Sequence, residues 1–137
     1  MNPTRTRCLI CASATALALF LSCTAFSDEK KAIRDLPATE VARELKENEK
    51  IVVLDIRTPE EYAAGHLAGA RNIDFKAADF ESKIAKLDKS KTYVVHCRSG
   101  RRSGLSMKKF RELKFQSVLH MKDGIQGWEA AGLKTEK

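Results

Sequence analysis

The chain has 137 residues, of which 43% are hydrophobic and 31% are charged, and its formal net charge at pH 7 is +7. This length suits one folded domain with one core and is too short for two. The lysines are spread along the chain, and no aromatic residues interleave with a basic stripe, so nothing indicates a nucleic-acid partner.

The first residues follow the layout of a secretory signal peptide. Arg5 and Arg7 lie in a short polar start, residues 8–21 are mostly apolar, and small residues follow. The apolar stretch has 14 residues, whereas a transmembrane helix needs about 20. We therefore predict a signal peptide over residues 1–25, ending between positions 22 and 27, and an exported, periplasmic protein.

Two alternatives to a cleaved leader stay open. One is an uncleaved membrane anchor. The other is a bacterial lipoprotein signal, in which Cys23 would be lipidated and would tether the protein. Apart from these cases, we expect no membrane contact after cleavage.

Cysteine usage points to a single position in the mature chain. Cys8, Cys11 and Cys23 lie within or beside the predicted leader, so a chain starting near Asp28 keeps only Cys97. A single thiol cannot form an internal disulfide, although small exported proteins often rely on one. The thiol of Cys97 is therefore predicted to be either buried or used.

The predicted elements alternate between helix and strand. After a polar lead-in, residues 39–49 have the pattern of a short amphipathic helix. Residues 51–57 form an apolar, β-branched run, which is typical of a central parallel strand covered on both faces. Thr58 and Glu61 suit a capping box, and Pro59 suits the first helical position, so a brief helix is predicted to begin there.

The second half of the chain continues this alternation. Its predicted elements are an extended piece, a helix, a strand, a helix, a strand and a last short helix, over residues 66–73, 80–87, 93–96, 104–114, 117–121 and 123–132. This order predicts an α/β fold with a mostly parallel sheet flanked by helices on both faces. The reactive crevice of such a sheet lies at the carboxyl ends of its strands, and Cys97 follows one of them.

The segment that joins that strand to the next helix reads His-Cys-Arg-Ser-Gly-Arg-Arg-Ser-Gly, residues 96–104. A loop of small and cationic residues before a helix N-terminus is a recurring anion cradle. Its N–H groups and arginines favour the thiolate of Cys97 over the thiol. An ordinary thiol is only roughly 3% ionised at neutral pH, and a pKa depression of about two units makes thiolate the majority form. The alternative is an inert cysteine buried at a strand end.

Three separated segments carry a resemblance to a known family. The first comprises residues 54–57, 60–62 and 65–70, the second is the loop that Cys97 opens, and the third is residues 123–128. In this order they resemble the rhodanese-like domains, specifically the single-domain thiosulfate sulfurtransferases. The resemblance implies one rhodanese domain over residues 33–134. Together with the leader, it is similar to the exported phage-shock-protein-E type of that family.

The resemblance implies a six-residue active loop, Cys97 to Arg102, with Ser103 beginning the next helix. In that family the cysteine takes the outer sulfur of thiosulfate as a persulfide and passes it to a thiophilic acceptor, such as cyanide or a thiol. The implied partners are a small anionic sulfur donor and this acceptor. No metal or organic cofactor is implied, and we expect a monomer.

The site residues follow from this loop. Cys97 is the predicted catalytic residue, and the substrate-binding candidates are Arg98, Ser99, Gly100, Arg101, Arg102 and Ser103. Arg98 and Arg101 are favoured for donor binding, whereas Arg102 is expected to face solvent or to pair with an acid. Gly100 suits a backbone with positive φ, and Ser103 suits a helix cap.

Two other functions stay open. A cysteine phosphatase or arsenate reductase of the related cell-division-cycle phosphatase type would need arginine at the position of Ser103, and Arg102 comes one residue too early. The second alternative is a sulfur-carrier or partner-binding module. Its persulfide would be loaded and unloaded by other proteins, with little free turnover.

The other polar candidates are interpreted as structural rather than catalytic: His66, His96, His120, Asp55, Arg57 and Glu60. Adjacent residues of a strand point to opposite faces, so His96 is expected to face away from Cys97. Trp128, the single tryptophan, is expected to lie in the core or to form a wall of the crevice.

Overall fold

A computed structural model describes residues 32–137. The predicted signal peptide and Cys23 lie outside the described residues. Within them the elements are β1 (Ile33–Leu36), α1 (Ala38–Glu47), β2 (Val52–Asp55), α2 (Pro59–Ala64), β3 (Arg71–Asn72), α3 (Phe80–Ala85), β4 (Thr92–His96), α4 (Arg101–Glu112), β5 (Ser117–Met121) and α5 (Gly124–Ala130). None of the helices in this part of the chain has both the length and the apolarity that a bilayer crossing requires.

The strands form one five-stranded sheet with the order β1-β5-β4-β2-β3, and every pairing is parallel. The central strand is β4, where Val94 lies opposite Val53 of β2 and Leu119 of β5. A strand that has neighbours on both edges and helices on both faces must be apolar throughout, as residues 93–95 are. The order therefore puts the residue after β4 in the middle of the sheet's carboxyl edge.

Helices cover both faces of the sheet, each with its own apolar cluster. On one face α3 and α4 bury their apolar residues against alternate residues of β2, β4 and β5; this cluster includes Phe80, Ile84, Met107, Phe110, Leu54, Val95 and Cys97. On the other face α1 and α5 do the same; this cluster includes Val41, Ala42, Ile125, Trp128, Val53, Val94 and Leu119. The predicted α/β fold, with a parallel sheet flanked on both faces, is confirmed.

The short helix α2 begins as its sequence predicts. The Thr58 hydroxyl accepts a hydrogen bond from the Glu61 N–H, and the Glu61 carboxylate accepts one from the Thr58 N–H. Pro59 occupies the first turn, where its missing N–H has no cost. The predicted capping box is therefore confirmed.

Two elements differ from the sequence expectation. The segment predicted as a polar lead-in contains β1, an edge strand in which Ile33 and Leu36 are buried and the two residues between them are polar. This pattern lacks the strict alternation that marks a strand in the sequence. In addition, α4 begins at Arg101 rather than at Gly104. Both differences affect the site described below.

Candidate active site

The loop after β4 turns sharply into α4 at Gly100. This residue is the N-cap of α4 and has φ 86°. A Cβ at this position would lie 1.7 Å from the carbonyl oxygen of Lys122, so only glycine fits. Because the turn is completed there, Ser103 lies within the first turn of α4, and the prediction that Ser103 caps the helix is wrong.

The Cys97 thiol lies at the centre of this turn, and the residue is 1% exposed. Its sulfur accepts hydrogen bonds from the Ser103 N–H at 3.5 Å and from the Ser103 hydroxyl at 3.4 Å. Burial raises the pKa of the thiol, but hydrogen bonds from Ser103 and from the N–H groups of Ser99 and Gly100 outweigh burial and hold the pKa below its usual value. The loop therefore favours the thiolate, as the sequence predicts.

Arg102 is the loop arginine that pairs with a carboxylate. Its guanidinium donates two hydrogen bonds to the Glu61 carboxylate, both at 2.7 Å. These bonds, and the neighbouring Cys97 sulfur, raise the pKa of Arg102. In return, the Arg102 hydrogen bonds lower the pKa of Glu61 to about 2. The expectation that Arg102 pairs with an acid is correct, and the pair ties the first turn of α2 to that of α4.

The other two loop arginines, Arg98 and Arg101, have exposed side chains, and Ser99 is exposed as well. Arg98 lines a cleft of about 250 Å³ together with Arg57, Glu61 and residues of α5. A larger cavity, of about 530 Å³, is lined by residues of α1, β2 and the segment around Trp128, and it contains no residue of the Cys97 loop. The arginines favoured for donor binding thus lie at the outer surface of the loop.

The first turn of α5 holds the cysteine loop from the other side. The Ile125 N–H donates to the Cys97 carbonyl at 2.9 Å, and the Gln126 N–H donates to the Arg98 carbonyl at 3.0 Å. Gly124, with φ 61°, permits this approach, because a Cβ there would lie 2.4 Å from the Arg98 oxygen. The sequence motif at residues 123–128 therefore positions the Cys97 loop, a role that its residue types alone do not reveal.

The residues interpreted as structural lie mainly on the opposite side of the sheet's edge. Arg57 donates to both carboxylate oxygens of Asp55, at 2.9 and 2.6 Å, and to the Gly65 carbonyl at 2.7 Å. His96 is completely buried, and burial lowers its pKa. Its ring faces away from the Cys97 sulfur, since Val94 and Cys97 belong to opposite clusters and His96 shares the side of Val94.

Two further residues interpreted as structural are His66 and Glu60, and Trp128 was expected in the core or at a wall of the crevice. The His66 ring stacks on Tyr62 with ring centroids 3.8 Å apart and bonds the Tyr62 carbonyl at 3.1 Å. Among the described residues, Glu60 is exposed on α2 and forms no hydrogen bond with Asp55 or Arg57, which bond each other instead. Trp128 is 9% exposed and lies in the cluster beneath α1 and α5, so it is a core residue.

His120 is the residue whose place the sequence does not predict. Its Nε2 lies 2.9 Å from the Ser103 hydroxyl, and its Nδ1 lies 2.8 Å from Oδ1 of Asp35. Ser103 in turn contacts the Cys97 sulfur, so three side chains from α4, β5 and β1 form a chain leading away from the thiol. No sequence signal marks Asp35, because it lies in the segment taken for a lead-in.

The chain matches the family model described as "Rhodanese-like domain" over residues 38–131. It is 38% identical over 94 residues to thiosulfate sulfurtransferase GlpE of Pseudomonas aeruginosa, an alignment that covers 68% of this chain and 82% of that protein. It is 26% identical over 100 residues to slr1261 of Synechocystis, where the alignment covers 73% of this chain and spans about half, 55%, of the relative's length.

Solved structures show the same fold. A rhodanese-related protein from Thermoplasma volcanium superimposes with a TM-score of 0.66 at 28% identity, covering 75% of this chain and 97% of that one. A polysulfide-sulfur transferase homodimer from Wolinella succinogenes superimposes with a TM-score of 0.63 at 26% identity, covering 79% and 81%. The fold of the described residues is thus shared with solved rhodanese-related proteins.

Proposed function

Since this chain belongs to the rhodanese-like sulfurtransferase family, we propose that it moves the sulfane sulfur of thiosulfate, or of a related donor, through a Cys97 persulfide to a thiophilic acceptor. The observation that carries the proposal is the thiol held among the N–H groups of Ser99, Gly100 and Ser103, which lower its pKa. A thiolate is the form of cysteine that attacks sulfur.

The proposed reaction has two displacement steps. The Cys97 thiolate attacks the outer sulfur of thiosulfate, and the sulfur–sulfur bond of the donor breaks with its electron pair leaving on sulfite. The acceptor, cyanide or a thiolate, then attacks the outer sulfur of the persulfide and releases the Cys97 thiolate. The N–H groups that stabilise the thiolate also suit a persulfide anion at the same place.

Charge at the mouth of the loop supports an anionic donor. Arg102 is paired with Glu61, so its charge is largely compensated. Arg98 and Arg101 are exposed in the same loop, and their positive charge would attract a dianion toward it. We therefore assign donor attraction to Arg98 and Arg101 and assign Arg102 to the ordering of the loop beside the sulfur.

The test is thiosulfate:cyanide sulfur transfer by the purified protein and by the Cys97→Ser variant. We expect turnover in the first and none above background in the second, together with a mass increase of one sulfur atom on the wild-type chain after thiosulfate alone. A wild type that turns over para-nitrophenyl phosphate but not thiosulfate would overturn the proposal in favour of a phosphatase. Against that outcome, Ser103 stands where a phosphatase of the related type would need arginine.

Polysulfide is the related donor to compare with thiosulfate, because the fold resembles that of the Wolinella polysulfide-sulfur transferase. Loading Cys97 from each donor and then adding cyanide separates the candidates. A persulfide that cyanide discharges supports the free enzyme. A persulfide that forms but resists cyanide would favour the sulfur-carrier alternative.

We further propose that residues 1–25 direct export to the periplasm and are then removed. The proposal rests on the order of charged, apolar and small residues at the start of the chain. Expression of the full chain, followed by cell fractionation and mass determination of the periplasmic form, tests it. A mature chain starting between residues 23 and 28 supports export, and a form lipidated at Cys23 would support the lipoprotein alternative instead.

A further inference from the structure

We propose that Asp35, His120 and Ser103 form a proton relay that takes up the thiol proton of Cys97 and holds it as an imidazolium beside the thiolate. The inference deepens the proposed function, on which it rests for the role of Cys97 as nucleophile. The relay is continuous: Asp35 Oδ1 lies 2.8 Å from His120 Nδ1, His120 Nε2 lies 2.9 Å from Ser103 Oγ, and Ser103 Oγ lies 3.4 Å from Cys97 Sγ.

The hydrogens of this chain can be placed from the donor and acceptor capacity of each group. An ionised carboxylate only accepts, so Asp35 fixes a proton on Nδ1 of His120 and leaves Nε2 as an acceptor when the ring is neutral. The Ser103 hydroxyl has one hydrogen, which then points to Nε2. In that state the Cys97 thiol donates its own hydrogen to the Ser103 oxygen.

Ionisation of the thiol reverses each of these bonds. The S–H bond of Cys97 breaks with its electron pair staying on sulfur, its proton passes to Ser103 Oγ, and the former Ser103 proton passes to Nε2 of His120. The imidazolium then donates to the Ser103 oxygen, and the hydroxyl hydrogen of Ser103 points to the thiolate. No redox partner is needed, and the number of protons is unchanged.

The surroundings of His120 favour this exchange. Ser103 and Cys97 are almost completely buried, and His120 is 6% exposed, so charges on the sulfur and the ring interact with little solvent screening, whereas the Asp35 end of the relay is exposed. The ring is faced by Asp35 from β1 and by Ser103, the Gly100 carbonyl and Gly104 from the start of α4, and Val95 of β4 is the register partner of His120. Asp35 is the charged member of this set, and its sign stabilises an imidazolium.

Protonation of His120 also frees the Ser103 hydroxyl to donate its hydrogen to the Cys97 sulfur. The hydroxyl has three acceptors within reach: Nε2 of His120, the Gly100 carbonyl at 3.1 Å and the Cys97 sulfur. The shortest of these contacts is to Nε2, so when the ring is neutral the hydroxyl hydrogen points to Nε2 and not to the sulfur. A protonated ring removes Nε2 as an acceptor and can also donate to the Gly100 carbonyl, 3.3 Å away.

The test measures how fast iodoacetamide alkylates Cys97 as a function of pH, followed by mass spectrometry on the tryptic peptide of residues 92–98, which contains no other cysteine. His120→Gln is the informative variant, because an amide can still donate to Ser103 but cannot accept a proton. We expect the midpoint of its alkylation profile to lie about one pH unit above that of the wild type. His66→Gln, a buried histidine on the other side of the sheet, is the matched control and keeps the wild-type midpoint.

A double-mutant cycle with Ser103→Ala separates a relay from an independent field effect. If the imidazolium stabilises the thiolate through the Ser103 hydroxyl, His120→Gln has no further effect on the midpoint once Ser103 is alanine. If His120→Gln alone leaves the midpoint unchanged or lowers it, the relay is wrong. Should that variant fail to fold, Asp35→Asn at the exposed end of the chain replaces it, and a smaller shift in the same direction is expected.

The outcome is independent of sulfur transfer, because alkylation needs no sulfur donor. A wild type with a low midpoint that depends on His120, but with no sulfurtransferase activity, would overturn the proposed function and leave the relay standing. A wild type that transfers sulfur, but whose alkylation midpoint does not change in His120→Gln, would overturn the relay and leave the proposed function standing.

Discussion

Two adjacent residues at the end of β4 lie in opposite surroundings. His96 is buried beside Asp55, with its Nε2 3.8 Å from the carboxylate and without a hydrogen-bond partner among the described residues. Cys97, the next residue, belongs to a hydrogen-bonded chain that passes through Ser103 and His120 to the exposed Asp35. The His96 side of the strand end is therefore closed to solvent, whereas the Cys97 side is linked by hydrogen bonds to an exposed residue.

The histidine next to Cys97 in sequence is therefore not the one that is linked to its sulfur by hydrogen bonds. Alternation along β4 turns His96 away from the sulfur, whereas the parallel neighbour β5 brings His120 toward it through Ser103. On the His96 side, Arg57 neutralises the buried Asp55 carboxylate. On the Cys97 side, hydrogen bonds lower the pKa of a thiol.

The largest expected effect comes from breaking the turn that builds the Cys97 side. Gly100→Ala would force a Cβ against the Lys122 carbonyl at a residue with φ 86°. We expect sulfur transfer to fall by at least about 100-fold and the free energy of unfolding to fall by roughly 2–4 kcal/mol. Activity assays and urea unfolding measure both.

Gly69→Ala is the matched control for this prediction. Gly69 also has positive φ, 67°, but a Cβ there meets nothing within 4 Å. Only the backbone strain remains, so a loss of about 1 kcal/mol and full activity are expected. Equal activity in the two variants would show that the tight turn at Gly100 does not set the geometry of the sulfur site.

The next largest effect is a loss of stability expected on the His96 side of the strand end. Asp55→Asn leaves the Arg57 guanidinium buried without its compensating charge, so the free energy of unfolding should fall by about 3 kcal/mol. The Cys97 alkylation midpoint should not move, because this pair lies on the closed side. Asp79→Asn, which removes an exposed pair with Lys83, is the control and should cost less than about 0.5 kcal/mol.

A smaller effect tests donor attraction at the mouth of the loop. Arg101→Ala should raise the Michaelis constant for thiosulfate about fivefold and change turnover by less than about twofold, because an exposed charge acts before the chemical step. Arg43→Ala, an exposed arginine on α1, should leave both constants unchanged. A fall in turnover at an unchanged Michaelis constant would contradict simple donor binding.

The smallest effect concerns acid stability and the pair of Glu61 with Arg102. The Arg102 hydrogen bonds lower the folded-state pKa of Glu61 to about 2, below an unfolded value of about 4.3. The pair's contribution is therefore complete above about pH 4.3 and is lost as the pH falls toward 2. Glu61→Gln should flatten the stability profile in this window by under about 1 kcal/mol, since the pair is partly exposed.

Urea unfolding at successive pH values measures this slope. Glu47→Gln, which alters an exposed pair on α1, is the control and should keep the wild-type slope. An unchanged slope for Glu61→Gln would mean that the Glu61 carboxylate does not stabilise the folded state at all.

Local patterns predicted much of the fold and the centre of the site. The capping box at Thr58 and Glu61 involves neighbours in sequence, so it could be identified without tertiary information. The apolar runs of β2 and β4 predicted central parallel strands, and the motif around Cys97 predicted a loop with lowered thiol pKa. Each of these features is specified within a few residues of chain.

The features that were missed all depend on pairs of distant segments. Asp35 lies in a short edge strand that the sequence pattern does not reveal, because the two middle residues of the strand are polar. His120 gains its partners only when β5 pairs with β1 and α4 packs on β5. The first turn of α5 holds the cysteine loop through backbone N–H groups, which every residue type possesses. The expectation that Ser103 caps the helix failed because α4 begins earlier, with Gly100 as its N-cap, where the distant Lys122 carbonyl lies so close that only glycine fits.

The amino-acid sequence by itself determined the order of the strands and helices after β1, the mostly parallel sheet, and a cysteine in a basic loop at its carboxyl edge, because periodicity and capping act between neighbours. Only the tertiary structure decided which loop arginine pairs with an acid, which histidine is linked to the cysteine through Ser103, and which side of β4 is closed. Those contacts arise from the register of parallel strands and the seating of α4 and α5, which bring together side chains that no local pattern relates.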